Sequence, residues 1–87
     1  MAGYSLEIQR TAARELDAVE PRSQRQRIVT RVRALAGEPR PAGAQRLAGV
    51  AALYLLRQGD CRILYEIDDD AHRVMVVRIG HRREVYR

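Results

Sequence analysis

The strongest constraint in this chain is a set of three strand-like runs, Leu53 to Arg57, Cys61 to Ile67 and Arg73 to Ile79, packed closely along the sequence. Their connections are Gly59-Asp60 and the acidic run Asp68-Asp69-Asp70. Connections this short and turn-like predict two successive antiparallel hairpins. With glycine first, as a type II′ turn requires, Gly59-Asp60 sets the register of the first hairpin: Gln58 faces Cys61, and Arg57 faces Arg62.

Upstream, Tyr4, Leu6 and Ile8 alternate with Ser5, Glu7 and Gln9, the period of a half-buried strand. Thr11 is placed to cap a short helix that carries Ala12, Leu16 and Val19 on one face and is interrupted at Pro21. Ser23 with Gln26 has the form of a capping box for a second helix. There Ile28, Val32, Leu35 and Ala36 recur at helical spacing, and Arg25, Arg27, Arg31 and Arg33 point elsewhere. Gly37 and Pro39 end it, and residues 37–49, which include Arg40 and Arg46, read as a loop. The predicted order is βααβββ. Its simplest α+β solution is a two-helix hairpin packed on one face of a mainly antiparallel four-stranded sheet.

At 87 residues and 46% hydrophobic content, one domain spanning 1–87 is expected. No apolar run approaches the ~20 residues of a membrane span, and Met1 to Arg10 lacks the apolar core of a signal peptide, so a cytoplasmic protein without a membrane partner is expected. Cys61 is the single cysteine; it suits a small buried thiol and rules out an intrachain disulfide. His72 reads as a surface residue, and Tyr54 and Tyr65, paired in the hairpin register, read as core. Three consecutive aspartates do not supply the spaced ligands of a calcium loop, so no metal is expected there.

Sixteen basic residues against eleven acidic ones give a formal charge of +5, and every basic residue is an arginine. Guanidinium forks bind phosphate in two-point geometry, but net charge alone does not separate that use from a merely soluble surface. Two constellations do more. Arg57 and Arg62 are like charges directly across a hairpin, an arrangement normally unfavourable by roughly 0.2–1 kcal/mol that a bound polyanion relieves. Splayed side chains, or partnership with Asp60 or Glu66, would relieve it as well. The second constellation, His81-Arg82-Arg83-Glu84-Val85-Tyr86-Arg87, offers three guanidiniums, one imidazole and one phenol after the last strand. A frayed charged tail is the ordinary reading. Gly80 and Val85 instead suggest a tail folding back to bring His81, Arg82 and Tyr86 near Arg57 and Arg62.

RNA cleavage needs a base for the ribose 2′-hydroxyl, cations for the phosphorane and an acid for the leaving oxygen. Arginine, protonated to above about pH 12, suits the middle task, and His81 or Tyr86 suits the proton transfers. Because the nucleophile lies within the substrate, no metal and no cofactor is called for.

The run Arg57-Gln58-Gly59-Asp60-Cys61-Arg62-Ile63-Leu64-Tyr65-Glu66-Ile67, followed by Ile79-Gly80-His81-Arg82-Arg83-Glu84-Val85-Tyr86, resembles the hallmark of RelE-like toxins of the RelE/ParE superfamily. With the leading strand and helical pair, the resemblance covers Tyr4 to Tyr86. It implies a microbial RNase fold of the RelE type and a cognate antitoxin, RelB-like or of another type II family. It further implies cleavage of mRNA on the ribosome, and operator DNA bound only through the toxin-antitoxin complex. By position, Arg62 matches the arginine that stabilises the transition state, Arg82 the one at the leaving group or phosphate, and Tyr86 the C-terminal tyrosine that orients substrate or acts as base. Arg46, Arg57 and Arg83 are the accompanying phosphate-binding candidates. Leu55 stands where such chains often carry Lys or Arg, and His81 stands where a basic residue is common. A ParE-like toxin of the same fold that binds DNA gyrase without cutting RNA is the alternative, and a member that binds only its antitoxin is a third.

Overall fold

The computed structural model describes residues 3–47 and 52–81. It has β1 (Ser5–Ile8), α1 (Arg10–Asp17), α2 (Arg22–Ala34), β2 (Gln45–Arg46), β3 (Leu53–Gln58), β4 (Cys61–Asp68) and β5 (Arg73–His81). The strands form one sheet in the order β1-β5-β4-β3-β2. As predicted, β3, β4 and β5 form an antiparallel meander. β1 lies parallel to β5, pairing Ser5 with Arg73 and Ile8 with Val76, so the sheet is mixed. Five strands replace the expected four because Gln45 and Arg46 pair with Leu55 and Tyr54. Both are exposed, and two polar residues carry no period for a sequence to show.

Helices cover one face of the sheet. Ala12, Ile28, Val32 and Leu35 pack there against Leu56, Cys61, Ile63, Tyr65, Ile67, Val74, Val76 and Ile79, and Leu16 and Val19 border the cluster. These helical residues are the ones that the 3.6-residue period selects. The opposite face holds a smaller cluster of Leu55 and Leu64 with Leu47, Leu53 and Val77 at its margin. Cys61 is buried at 2% exposure, as a small apolar thiol would be.

Both helices start two residues ahead of the expected caps. Gln9 and Pro21 occupy the N-cap positions, neither helix has a side-chain cap, and the Thr11 and Ser23 caps are not formed. Gln9 donates its amide to the Val76 carbonyl at 2.9 Å, so the chain runs from the β1 ladder straight into α1. Pro21 fits a helix start because its missing N–H is one that a first turn would leave unbonded.

β5 contains a bulge. Opposite β4 the register jumps from Leu64↔Arg78 to Tyr65↔Val76, leaving Val77 as the additional residue. Val76 and Ile79 are three positions apart and would face opposite ways on a regular strand, yet both are fully buried on the helical side. The inserted residue resolves that conflict. It also frees Arg78 to reach α1, where its Nε and Nη2 donate to both carboxylate oxygens of Glu15 at 2.8–3.1 Å. Glu15 Oε1 accepts the Ile79 amide as well, at 2.9 Å. Burial raises the Glu15 pKa, but the Arg78 and Ile79 hydrogen bonds and the Arg78 charge outweigh it and hold the carboxyl below its ordinary value.

At the other side α2 serves β3. Gln24 Nε2 donates to the Gln58 carbonyl at 2.7 Å and Arg31 Nη2 to the Arg57 carbonyl at 3.3 Å, beyond the reach of the short β2. Carbonyls that would otherwise lie on an open strand edge are thereby occupied. Among the described residues no helix is long and apolar enough to cross a membrane.

Candidate functional site

The β3–β4 turn brings the first pair of site residues together. Gly59 has φ +61°, the left-handed conformation that glycine adopts without penalty. A Cβ there would sit 2.6 Å from Gln24 Nε2, so glycine also makes room for the side chain that holds the Gln58 carbonyl. The resulting register is the one read from the sequence: Arg57 opposite Arg62, and Gln58 opposite Cys61.

Strand alternation assigns the faces. Leu56, Cys61 and Ile63 belong to the helix-side core, and Leu55 and Leu64 to the other cluster, so Arg57 and Arg62 stand on the face that carries no helix. Gly80 is the next residue of that row, paired with Arg62 on β5. A glycine there leaves the third strand without a side chain beside the guanidiniums. Arg57, Gly59, Asp60, Cys61 and Arg62 line a cleft of about 240 Å³. Arg57 is exposed and Arg62 half-buried.

The remaining predicted residues are placed otherwise. Arg46 pairs with Tyr54 and therefore belongs to the helix-side face, across the sheet from the pair. His81 pairs with Cys61 and lines a cleft of about 300 Å³ with Glu20, Gln24, Arg27 and Asp60, again on the helical side. The bulge is the reason: an unbroken alternation from Val76 would have put position 81 on the arginine face, and the additional residue reverses it. Arg82, Arg83 and Tyr86 lie outside the described residues.

A second polar cluster, not foreseen in the sequence, ties the 37–44 segment to the far end of the sheet. Arg40 grips Asp69 with Nη1 and Nη2 at 3.3 and 2.7 Å, and its Nε donates to Tyr54 Oη at 3.0 Å. Tyr4 donates to Asp69 Oδ1 at 2.6 Å. Tyr54 stacks on Tyr65 with centroids 5.8 Å apart, and the buried Tyr65 donates to the Pro39 carbonyl at 2.8 Å. The Arg40 and Tyr4 hydrogen bonds hold the Asp69 carboxyl below its ordinary value, and burial pushes the Tyr65 phenol up to about 12. No local pattern marks this cluster, because its members are up to 65 residues apart.

The open face is electrically polarised. Opposite the arginine end, a larger recess of about 600 Å³ is lined by Glu66, Asp68, Asp69 and Asp70 beside Arg73 and Met75. Its carboxylates repel a phosphate chain, so size does not make it the anion site. A small basic α+β fold with an arginine pair at one end of a bare sheet face presents an exposed cationic surface suited to an extended anion.

Comparison with known proteins agrees. Residues 6–86 match the family described as ParE toxin of type II toxin-antitoxin system, parDE. Toxin RelG of Mycobacterium tuberculosis is 31% identical over 84 residues, which is 97% of each chain. The toxin-antitoxin complex RelBE2 of the same organism contains a chain with TM-score 0.78 and 29% identity, covering 92% of this chain and 99% of that one. The archaeal RelE–RelB complex of Pyrococcus horikoshii shares the fold at TM-score 0.82 and 22% identity, over 98% of this chain and 100% of that one. The chain belongs to the RelE/ParE family of toxins of type II toxin-antitoxin systems.

Proposed function

We propose that this toxin is a ribosome-dependent mRNA endoribonuclease, which inhibits translation by metal-independent attack of the ribose 2′-hydroxyl on the adjoining phosphate. The observation that carries the reading is the Arg57–Arg62 pair on the open face. None of the ion pairs among the described residues involves Arg57, and like charges so placed gain most from a phosphate between them. The likeness to toxins named RelG and RelE supports it.

In this scheme Arg57 holds the substrate phosphate and Arg62 neutralises the phosphorane. Arg82 stabilises the charge on the leaving 5′-oxygen, which takes its proton from water, Arg83 adds contact to the RNA backbone, and Tyr86 takes the 2′-hydroxyl proton. His81, turned to the other side of the sheet, is assigned no proton transfer, and Arg46 no substrate phosphate. A cognate antitoxin neutralises the toxin, as a flexible segment can by covering the basic end. The pair binds operator DNA as a complex, in the cytoplasm.

A gyrase-binding reading is favoured by one observation, the match to a family described by its ParE member. Primer extension on ribosome-bound mRNA, with Arg62→Ala and Tyr86→Phe beside the parent chain and a gyrase cleavage assay in parallel, separates the two. Codon-phased cuts that disappear in the variants are expected, with Arg62→Ala losing roughly 10²–10³-fold in rate. Gyrase-linked DNA breaks without mRNA cuts would overturn the nuclease assignment.

A further inference from the structure

We propose that the outward face of α2 is a second RNA-backbone site, which docks structured RNA of the ribosome while the open sheet face holds mRNA. The proposal deepens the RNA reading above and rests on it. Its starting point is a feature of the sequence that the cleavage scheme leaves unused. The helix RSQRQRIVTRVRA contains Arg22, Arg25, Arg27, Arg31 and Arg33 and not one carboxylate.

Ser23, Gln26, Arg27, Thr30 and Arg31 fall at i, i+3, i+4, i+7 and i+8, so they share one side of the helix. With Gln58 they line a shallow groove of about 380 Å³. Every lining residue is polar, two are guanidiniums and none is acidic. No ion pair among the described residues uses an arginine of α2. Arg31 Nε is buried and has no hydrogen-bond partner among the described residues.

The groove borders the strand that carries Arg57. Arg31 donates to the Arg57 carbonyl, and Gln58 is the next residue on β3. Arg27 and Arg31 are one turn apart, about 6 Å along the axis, a separation on the scale of neighbouring phosphates. Glu20 and Asp60, which share the adjoining cleft with Arg27, bound the basic track at its N-terminal end.

RNA suits this surface better than protein does. A protein segment docking on a helix needs apolar contact area, and the one exposed large hydrophobic residue among those described is Ile8, on β1 at the opposite edge of the sheet. A groove of hydrogen-bond donors and positive charge matches the phosphates and hydroxyls of a structured RNA.

The test is fluorescence anisotropy of the purified chain with a labelled RNA hairpin, titrated with salt, for the parent, Arg27→Gln, Arg27→Lys and Arg27→Gln/Arg31→Gln. Arg27 makes no hydrogen bond within the described chain, so its single variant reads binding without a change in β3 support. The double variant is expected to weaken binding about tenfold and lower the log–log salt slope by roughly 1.5. The single variant should show about half that slope change, and Arg27→Lys should retain the parent's. Unchanged affinity and slope in both Gln variants overturn the proposal, as does a parent chain that does not bind the hairpin. So does a loss confined to antitoxin binding. Primer extension is run alongside. A chain that cuts no mRNA yet loses hairpin affinity in the α2 variants sinks the nuclease assignment and leaves this site standing.

Discussion

Glu15→Ala removes the acceptor that holds both the Arg78 side chain and the Ile79 backbone just after the bulge of β5. The two losses differ in kind. Arg78 and Glu15 are 38% and 25% exposed, so their ion pair contributes only about 0.5–1 kcal/mol after screening. The amide of the fully buried Ile79 is left without its acceptor, which costs about 1–2 kcal/mol. Together these predict a loss of about 2 kcal/mol. In a domain of this size that is a fall in Tm of about 10 °C. Glu15→Gln keeps an oxygen for the Ile79 amide and gives up the charge, so it should cost less than half as much. Urea denaturation followed by far-UV circular dichroism, at low and high salt, measures both. The difference between parent and Glu15→Gln should shrink with salt, and the difference between Gln and Ala should persist. Equal losses for Gln and Ala, or an Ala variant within about 0.5 kcal/mol of the parent, would refute the claim that a backbone acceptor anchors α1 to the bulge.

Gly59→Ala should destabilise by about 2 kcal/mol, combining a left-handed φ with displacement of Gln24, and in a Gln24→Ala background only the φ cost of about 1 kcal/mol should remain. Tyr65→Phe leaves the Pro39 carbonyl without its buried donor and should cost about 1–1.5 kcal/mol by urea titration. His81→Ala should keep mRNA cleavage within a few-fold of the parent in primer extension, whereas the arginine-face variant Arg62→Ala should not. Glu15 and Asp69 both have folded pKa values below their ordinary ones, so each adds stability above its unfolded pKa that is lost as pH falls through the folded value. Melting curves from about pH 6 to about pH 2 should fall steeply on the acid side, and Arg40→Ala should flatten the part owed to Asp69.

How much of this was readable in advance depended on the range of the interaction. The Arg57–Arg62 register followed from a two-residue turn, where geometry leaves one pairing. The helical faces of Ile28, Val32 and Leu35 followed from period alone. β2 escaped notice because it exists only through its partner β3, and the parallel mate of β1 because nothing in Tyr4 to Ile8 names a strand so distant in sequence. The Tyr4–Asp69–Arg40–Tyr54 cluster assembles from four separate parts of the chain. His81 shows the subtler case. Its residue type suited proton transfer, but its side of the sheet was decided by Val77, four positions away. The apolar residues Val74, Val76 and Ile79 did carry a signal, since their spacing breaks strict alternation, and two buried residues three apart in a strand call for an insertion.

That insertion has a meaning for how such a toxin changes over time. A strand with one residue of slack can take it up by a one-residue slip of everything beyond Val76, so that Leu64 meets Val77 in place of Arg78. Every residue beyond the slip would then exchange sides, bringing an imidazole to the guanidiniums and turning Ile79 out toward water. A shared scaffold can thus exhibit a new set of chemical groups on its working surface without altering any of them, and the frame of one strand becomes a heritable variable in its own right.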